Sequence, residues 1–510
     1  MLTHRDMLRR ASVAYGNRPA IGMVGERPLT YRELDELTGR IAAGLAALGL
    51  GPGDRMMWID QNRVEYLLAY FATAKIGMTI SPVNYWLRTR EIEPLAKLVD
   101  PAIVVAGPDY RRTIREAVGT DRERHWVAVG DEVGDGWLPW SSLVADEPHP
   151  GLDIDERTIH EIIFTSGTTG QSKGVMRSQR GRIIDSFQAA LGYELTRNDH
   201  MLWFLPQFHI GGAAVPNQLL IQGGRVSLLR RFDPEAAAQA IAQGVTYVVG
   251  VPAHYSLMRE SGVLDGVDTS HVRGCYVGGS SASREVFESI LEQFPNAELV
   301  HGYGSTESGP HTMALRGQAF LDHFGALGLP VPGTEVRVVD ELTGADVRRG
   351  EVGELWVRSD AVMEGYLGRP DLTEKTLVDG WLRTGDLVRQ DEDGYFTMVD
   401  RAKDMIITGG ENVYPREVED VLASHDAVVE AAVIGVPDDV YEERVVAYVR
   451  LEPGVDAPEP GELIAYVRQR LAGFKTPKEL YIVDDLPRTG VGKIAKQALR
   501  ESYRAVARGA

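Results

Sequence analysis

The residues best suited to chemistry lie in one run, Thr165-Ser166-Gly167-Thr168-Thr169-Gly170-Gln171-Ser172-Lys173-Gly174-Val175. Its three glycines let backbone N–H groups turn toward one point, and its hydroxyls and single lysine add donors, a set that suits a polyphosphate. The run is not a Walker A loop: the second glycine of G-x-x-x-x-G-K-S/T falls on Ser172, and Lys173 is followed by Gly174. The apolar residues Ile162–Phe164 enter it as a buried strand, which argues against a disordered Gly/Ser/Thr linker. Other chemistries fall away. No G-x-S-x-G elbow is present, His160-Glu161 begins an H-E-x-x-H pattern that fails at Phe164, and Gly302-Tyr303-Gly304 does not continue as a dinucleotide fingerprint. Cys275 opens the apolar run Cys275–Val277 and reads as core rather than nucleophile.

The elements that must position such a loop alternate between strands and helices. Ile162–Phe164, Val245–Val251, Gly274–Val277 and Glu298–Val300 read as strands of a parallel sheet. They run into the loops Thr165–Gly170, Pro252–His254, Gly278–Ser283 and His301–Ser308, where open α/β sheets bind ligands. From about Leu327 the texture changes. Gly333–Asp340 and Gly353–Ser359 alternate apolar and polar residues between glycines, followed by a turn at Asp391–Gly394 and the charged stretch Asp400–Asp404. Pro415 then opens a helix with Val418, Val421 and Leu422 on one face; Glu462–Ala472 predicts a second helix, and strand Leu480–Val483 leads to the loop Pro487–Lys493. The expected fold is α/β: a large N-terminal domain of stacked, parallel-rich sheets with helices (1–399), including a small antiparallel barrel at about 327–399. A hinge at 400–403 and a small mobile C-terminal α/β domain (404–510) complete it.

Composition narrows the partners. A net charge of −19 argues against nucleic-acid binding and requires local donors for any anionic substrate. One cysteine rules out an internal disulfide and fits a reducing compartment. The N-terminal segment lacks a signal-like apolar run, and the apolar window Met201–Gly224 is interrupted by Gln207, His209, Asn217, Gln218 and Gln222. The expectation is a cytoplasmic protein without a membrane span, monomeric or homodimeric.

The ordered motifs resemble those of the acyl-adenylate-forming superfamily, which includes acyl-CoA synthetases, aryl-CoA ligases, nonribosomal adenylation domains and firefly luciferase. Thr165–Val175 is similar to its phosphate loop, Tyr303-Gly304-Ser305-Thr306-Glu307 to its Y-G-x-T-E segment and Thr384-Gly385-Asp386 to its T-G-D. Asp400–Asp404 with Gly409–Pro415 resembles its hinge and following loop, and Gly492-Lys493-Ile494 its C-terminal G-K-I/V. Two positions depart from the pattern: Ser172 stands where proline is common, and Val491 where serine is. The resemblance implies ATP and CoA as co-substrates, Mg2+, and a carboxylic acid activated as acyl-AMP and passed to CoA. Thr165, Ser166, Gly167, Thr168, Thr169, Gly170 and Lys173 would hold phosphates, while Gly302, Tyr303 and Gly304 would line the adenine. Asp386 and Arg401 would bind the ribose hydroxyls, Thr306 the α-phosphate and Glu307 the metal ion. Lys493 would reach the α-phosphate and substrate carboxylate together. Lys403 would be the hinge, and Gly409 and Gly410 would line the thiol channel.

Pro206–Gly212 resembles the segment bordering the acyl pocket, with His209 also a catalytic candidate. His209 stands where amino-acid-adenylating relatives place aspartate, which disfavours an α-amino acid. Gly211, Gly212, Gly279, Ser280, Ser281 and Gly302 leave space for a mostly apolar aliphatic or aromatic tail. Arg177, Arg180 and Arg182 form either a solvated basic face or a contact for a nucleotide phosphate. One alternative reading passes the acyl group to a carrier-protein arm or an amine-type nucleophile. A non-enzymatic, nucleotide-binding reading is disfavoured because Lys493, Glu307 and Asp386 are all present.

Overall fold

Short runs of β-branched and aromatic residues become strands, and the amphipathic segments between them become covering helices. The structure, a computed structural model, describes residues 2–120, 123–131, 133–165, 172–278, 284–340, 343–408, 411–438, 441–488 and 494–509, with backbone only at 213–216, 403 and 505–509. The chain forms two compact units, Met1–Val336 with Val357–Arg383, and Arg337–Trp356 with Thr384–Ala510. The second unit thus takes in 337–356 and 384–399, which the sequence pattern assigns to the N-terminal domain.

Two sheets organise the first unit. In one, Glu298–Ser305, Gly274–Val277, Tyr247–Gly250, His200–Trp203, Arg225–Leu228 and Pro19–Met23 run parallel side by side. Cys275 is fully buried there, and burial pushes its thiol far above the usual range, so it is inert core. In the other, Ile159–Thr165 pairs parallel with Thr79–Pro82 and antiparallel with Lys173–Ser178. A core containing Tyr31, Trp58, Tyr66, Tyr70 and Phe71 fills the space around them.

Four expectations need correction. Ile162–Phe164 belongs to a different sheet from the other three strands, so the four loops do not share one edge. Lys173-Gly174-Val175 is not loop but the return strand of a hairpin, in register with Thr165, Phe164 and Ile163. Pro252–His254 is the first turn of the helix Pro252–Glu260, where proline fits because that N–H has no helical partner. Likewise His301–Ser305 continues the strand begun at Glu298, pairing antiparallel with Gly309–Arg316. Its glycines look like loop residues, yet a Cβ at Gly304 would stand 2.2 Å from the Gly309 carbonyl oxygen.

The strand Trp381–Gln390, which from Thr384 belongs to the second unit, turns at Asp391–Gly394 and pairs antiparallel with Phe396–Arg401. The C-terminal part builds a sheet on the hairpin Val428–Asp438 and Glu442–Leu451, with Glu479–Ile482 parallel to the latter. The helices Pro415–Ala423 and Pro460–Arg468 bury Val418, Leu422, Leu463 and Val467 against it. Among the described residues no helix is long and apolar enough to cross a membrane.

Candidate active site

The hairpin Ile159–Thr165/Lys173–Ser178 ends at the Thr165↔Lys173 pair, so the strands fix both ends of the hydroxyl-rich run. Ser166, Gly167, Thr168, Thr169 and Gly170 lie outside the described residues. The two-residue strand Gly365–Tyr366 pairs antiparallel with Val175 and Met176, which sets the Tyr366 ring under Lys173. The Lys173 ammonium nitrogen stands 4.9 Å from the ring centroid, within cation–π range. The Tyr366 hydroxyl donates to Glu307 Oε1 at 3.0 Å, and the Met363 N–H donates to the Glu307 carbonyl at 2.8 Å.

Thr306 and Glu307 sit in a turn closed by its own serines: Ser305 N–H donates to Ser308 Oγ (2.9 Å) and Ser308 N–H to Ser305 Oγ (3.0 Å). Thr306 and Tyr303 are buried, and Glu307 is half-buried. The Arg177 guanidinium donates from below to the Thr306 carbonyl at 2.9 Å. Arg177 and Arg182 therefore belong neither to a solvated face nor to a phosphate contact, because both are fully buried. Arg182 pairs with Glu161 at 3.0 Å and with Asp185 at 3.6 Å, and Asp185 meets His311 at 3.1 Å. Burial raises the Glu161 carboxyl above its usual range. At Asp185 burial pushes the same way, but His311, Arg182 and Arg177 together hold the carboxyl below its usual range. Arg180 bridges Glu156 (2.6 Å) and Asp360 (2.7 Å).

Around Pro206–Gly212 the chain enters the helix Ile210–Leu220, and His209 caps it by accepting the Gly211 N–H on Nδ1 at 3.3 Å. The inferred empty space is only partly there. A Cβ on Gly212 would lie 1.7 Å from the Pro206 carbonyl oxygen, and one on Gly302 2.2 Å from the Tyr193 hydroxyl and 2.9 Å from that of Tyr276. At Gly211 the nearest atom among the described residues would be His209 Nδ1 at 3.5 Å, an ordinary contact, so this glycine has room for a methyl group. Gly279, Ser280 and Ser281 are outside the described residues.

In the second unit, Asp386 and Arg401 are direct partners across the Trp381–Gln390/Phe396–Arg401 ladder, and their side chains pair at 3.0 Å. Asp386 is 2% exposed and its N–H donates to Thr384 Oγ1 at 3.1 Å, whereas Arg401 is half-exposed. Gly385 takes φ 70°, a left-handed conformation that glycine adopts without strain, and its N–H donates to Glu354 at 3.0 Å. Lys403 lies in the short 3-10 turn Ala402–Asp404; Gly409, Gly410 and Lys493 fall outside the described residues.

Among the described residues no group of three His, Cys, Asp or Glu side chains could hold a resident metal ion. Glu307 alone offers a hard carboxylate oxygen: Oε1 is fixed by Tyr366, and Oε2 has no hydrogen-bond partner among the described residues. A single carboxylate fits Mg2+ carried in on phosphate oxygens. Sequence reasoning missed Tyr366 and placed Arg177 on a solvated face or a phosphate rather than beneath Thr306. Tyr366 lies far along the chain from both partners, and only its place after Gly365, between the small sheet and a helix-opening proline, marks it locally.

Comparison with known proteins gives a consistent pattern. The AMP-binding enzyme family model matches residues 8–367, and that of the AMP-binding enzyme C-terminal domain matches 417–493. A feruloyl-CoA synthase from an Amycolatopsis species is 34% identical over 484 residues, covering 94% of this chain and 95% of the relative. The fatty acid–acyl-carrier-protein ligase ScoC of Streptomyces coeruleorubidus is 34% identical over 493 residues, covering 95% and 93%. Among solved structures, ATP-bound MatB from Rhodopseudomonas palustris superimposes with a TM-score of 0.88 at 31% identity, over 98% of this chain and 99% of that one.

Proposed function

The chain belongs to the AMP-binding enzyme family, and on that premise we propose that it is an ATP-dependent acyl-CoA synthetase. The observation that carries this reading is the bridge Lys173–Tyr366–Glu307, which gathers a cation, a carboxylate and the buried Thr306 beside the ends of the hydroxyl-rich hairpin run. A substrate carboxylate oxygen attacks the α-phosphorus of ATP, the bond from that phosphorus to the α,β-bridging oxygen breaks, and pyrophosphate leaves. CoA thiolate then displaces AMP from the acyl carbon.

In this reading the run 165–170 and Lys173 take the departing pyrophosphate, and Tyr303 stacks on adenine. Asp386 accepts a ribose hydroxyl while Arg401, already paired to it, donates to another. Lys493 offsets the repulsion between carboxylate and α-phosphate, and Thr306 donates to the latter. Glu307 would hold Mg2+, which neutralises phosphate charge when bound. Rotation about Lys403 would exchange Lys493 for Gly409 and Gly410 before the thiol attacks. The expected acid carries an apolar aliphatic or aromatic tail near His209 and Gly211.

ATP–pyrophosphate exchange against a panel of aliphatic and aromatic acids tests the first half, with AMP release measured with and without CoA. Exchange with at least one such acid and CoA-dependent AMP release are expected. A second reading, transfer to a carrier-protein arm, is favoured by the similarity to ScoC. Exchange without CoA-dependent release, but with acyl transfer to a phosphopantetheinyl carrier protein, would replace the first reading by that one.

A further inference from the structure

We propose that Tyr366 is a positioning residue that keeps Lys173 and Glu307 apart while orienting both, so that nucleotide binding depends on Tyr366 for its response to Mg2+. The inference rests on the adenylation reading above.

Three features of the fold carry it. Pairing of Tyr366 with Val175 is a backbone ladder contact, so the ring position is set by the sheet and not by side-chain choice. The Tyr366 N–H is held separately by Thr373 Oγ1 at 2.9 Å, which anchors the residue from the following helix. The side chain is buried, at 5% exposure, and although its hydroxyl also meets Thr376, its ring face and its hydroxyl each reach a group assigned to the nucleotide site.

The chemistry at each end is complementary. A phenol is protonated at neutral pH, so the Tyr366 hydroxyl donates to the Glu307 carboxylate. Donation to Oε1 restrains the carboxylate and leaves Oε2, which has no hydrogen-bond partner among the described residues, as the hard donor. On the other side the ring face attracts the Lys173 ammonium without neutralising it, since the ring supplies a quadrupole rather than a charge. A direct ion pair between Lys173 and Glu307 would bind the phosphate-seeking cation to the metal-seeking anion; Tyr366 instead offers each of them a neutral partner.

The test uses the full-length protein and measures ATP binding by calorimetry without any acid, across a Mg2+ series and in EDTA. Tyr366→Phe keeps the ring and loses the hydroxyl, and should raise the Mg2+ concentration for half-maximal ATP binding by about tenfold, as expected for one hydrogen bond to a charged group. Its ATP affinity in EDTA should stay within about twofold of wild type, because the ring still faces Lys173. Tyr366→Leu should weaken ATP binding in EDTA as well. Tyr366→His retains a ring and a donor, gives a second case if the phenylalanine variant folds poorly, and should lie between wild type and Tyr366→Phe. A Mg2+ response unchanged in Tyr366→Phe, or a loss equal with and without Mg2+, overturns the proposal. Wild-type protein that does not bind ATP at all would instead remove the adenylation reading beneath it.

Discussion

Arg177 shows how one buried side chain ties the active turn to the core. Its guanidinium is fully buried, and burial together with Arg182 pulls it down to about 10, still charged at neutral pH. Two cations, Arg177 and Arg182, face two carboxylates, Glu161 and Asp185, and Arg177 also satisfies the Thr306 carbonyl. Removing one cation leaves an unbalanced buried anion and an unpaired carbonyl. Arg177→Met should therefore cost about 3–5 kcal/mol of stability, the usual scale for breaking a buried pair. Adding Asp185→Asn should restore part of that loss, since the charge count balances again; a urea-denaturation double-mutant cycle measures it. Strict additivity would show that Arg177 acts only through Thr306.

Elements decide where glycine matters. At the start of the helix Ile210–Leu220, Gly212 approaches the Pro206 carbonyl too closely for any side chain, while at neighbouring Gly211 a Cβ would make only an ordinary contact with His209. Gly212→Ala should lose about 1–3 kcal/mol through overpacking. Gly211→Ala should be neutral or gain up to about 1 kcal/mol from helix propensity. Equal urea midpoints for the two variants would contradict this geometry. The same pair shows what the sequence could disclose. Uninterrupted apolar runs such as Gly274–Val277 were legible to the residue, because period and composition agree. The strand Glu298–Ser305 was cut short at its glycines, which read locally as loop although their missing side chains permit close packing. Likewise the small residues near His209 read as pocket space, a property of what lies opposite and not of the residues themselves. Burial of Arg177 and Arg182 was illegible for the same reason: Glu161 comes from the strand Ile159–Thr165 and the Thr306 carbonyl from a turn that follows a strand of another sheet. The Asp386–Arg401 facing was within reach, since the turn Asp391–Gly394 implies a hairpin whose register then joins them.

At the scale of the whole molecule, the larger unit buries histidines that fold only when neutral. Burial lowers His160 to about 3, and His200 and His254 to about 4, each from 6.5. A folded-state pKa below the unfolded one means the unfolded chain takes up the proton first as pH falls. The associated stability is complete above pH 6.5 and is lost progressively toward pH 4. Glu161 and Asp400 work in the opposite direction, because burial raises their carboxyls, so the total pH profile mixes both signs. A single histidine isolates its own contribution. His254 packs its ring 4.4 Å from Phe232 and 4.8 Å from Phe204, a site that suits phenylalanine. His254→Phe forfeits the hydrogen bond from the Val251 N–H at either pH, which is a constant offset. Relative to wild type, the variant should therefore gain about 2 kcal/mol between pH 7 and pH 5, whatever the offset at pH 7. Urea midpoints of both proteins at the two pH values provide the comparison. A difference that stays constant would mean that His254 is already protonated in the folded chain at pH 5, and that the aromatic cage around it admits water.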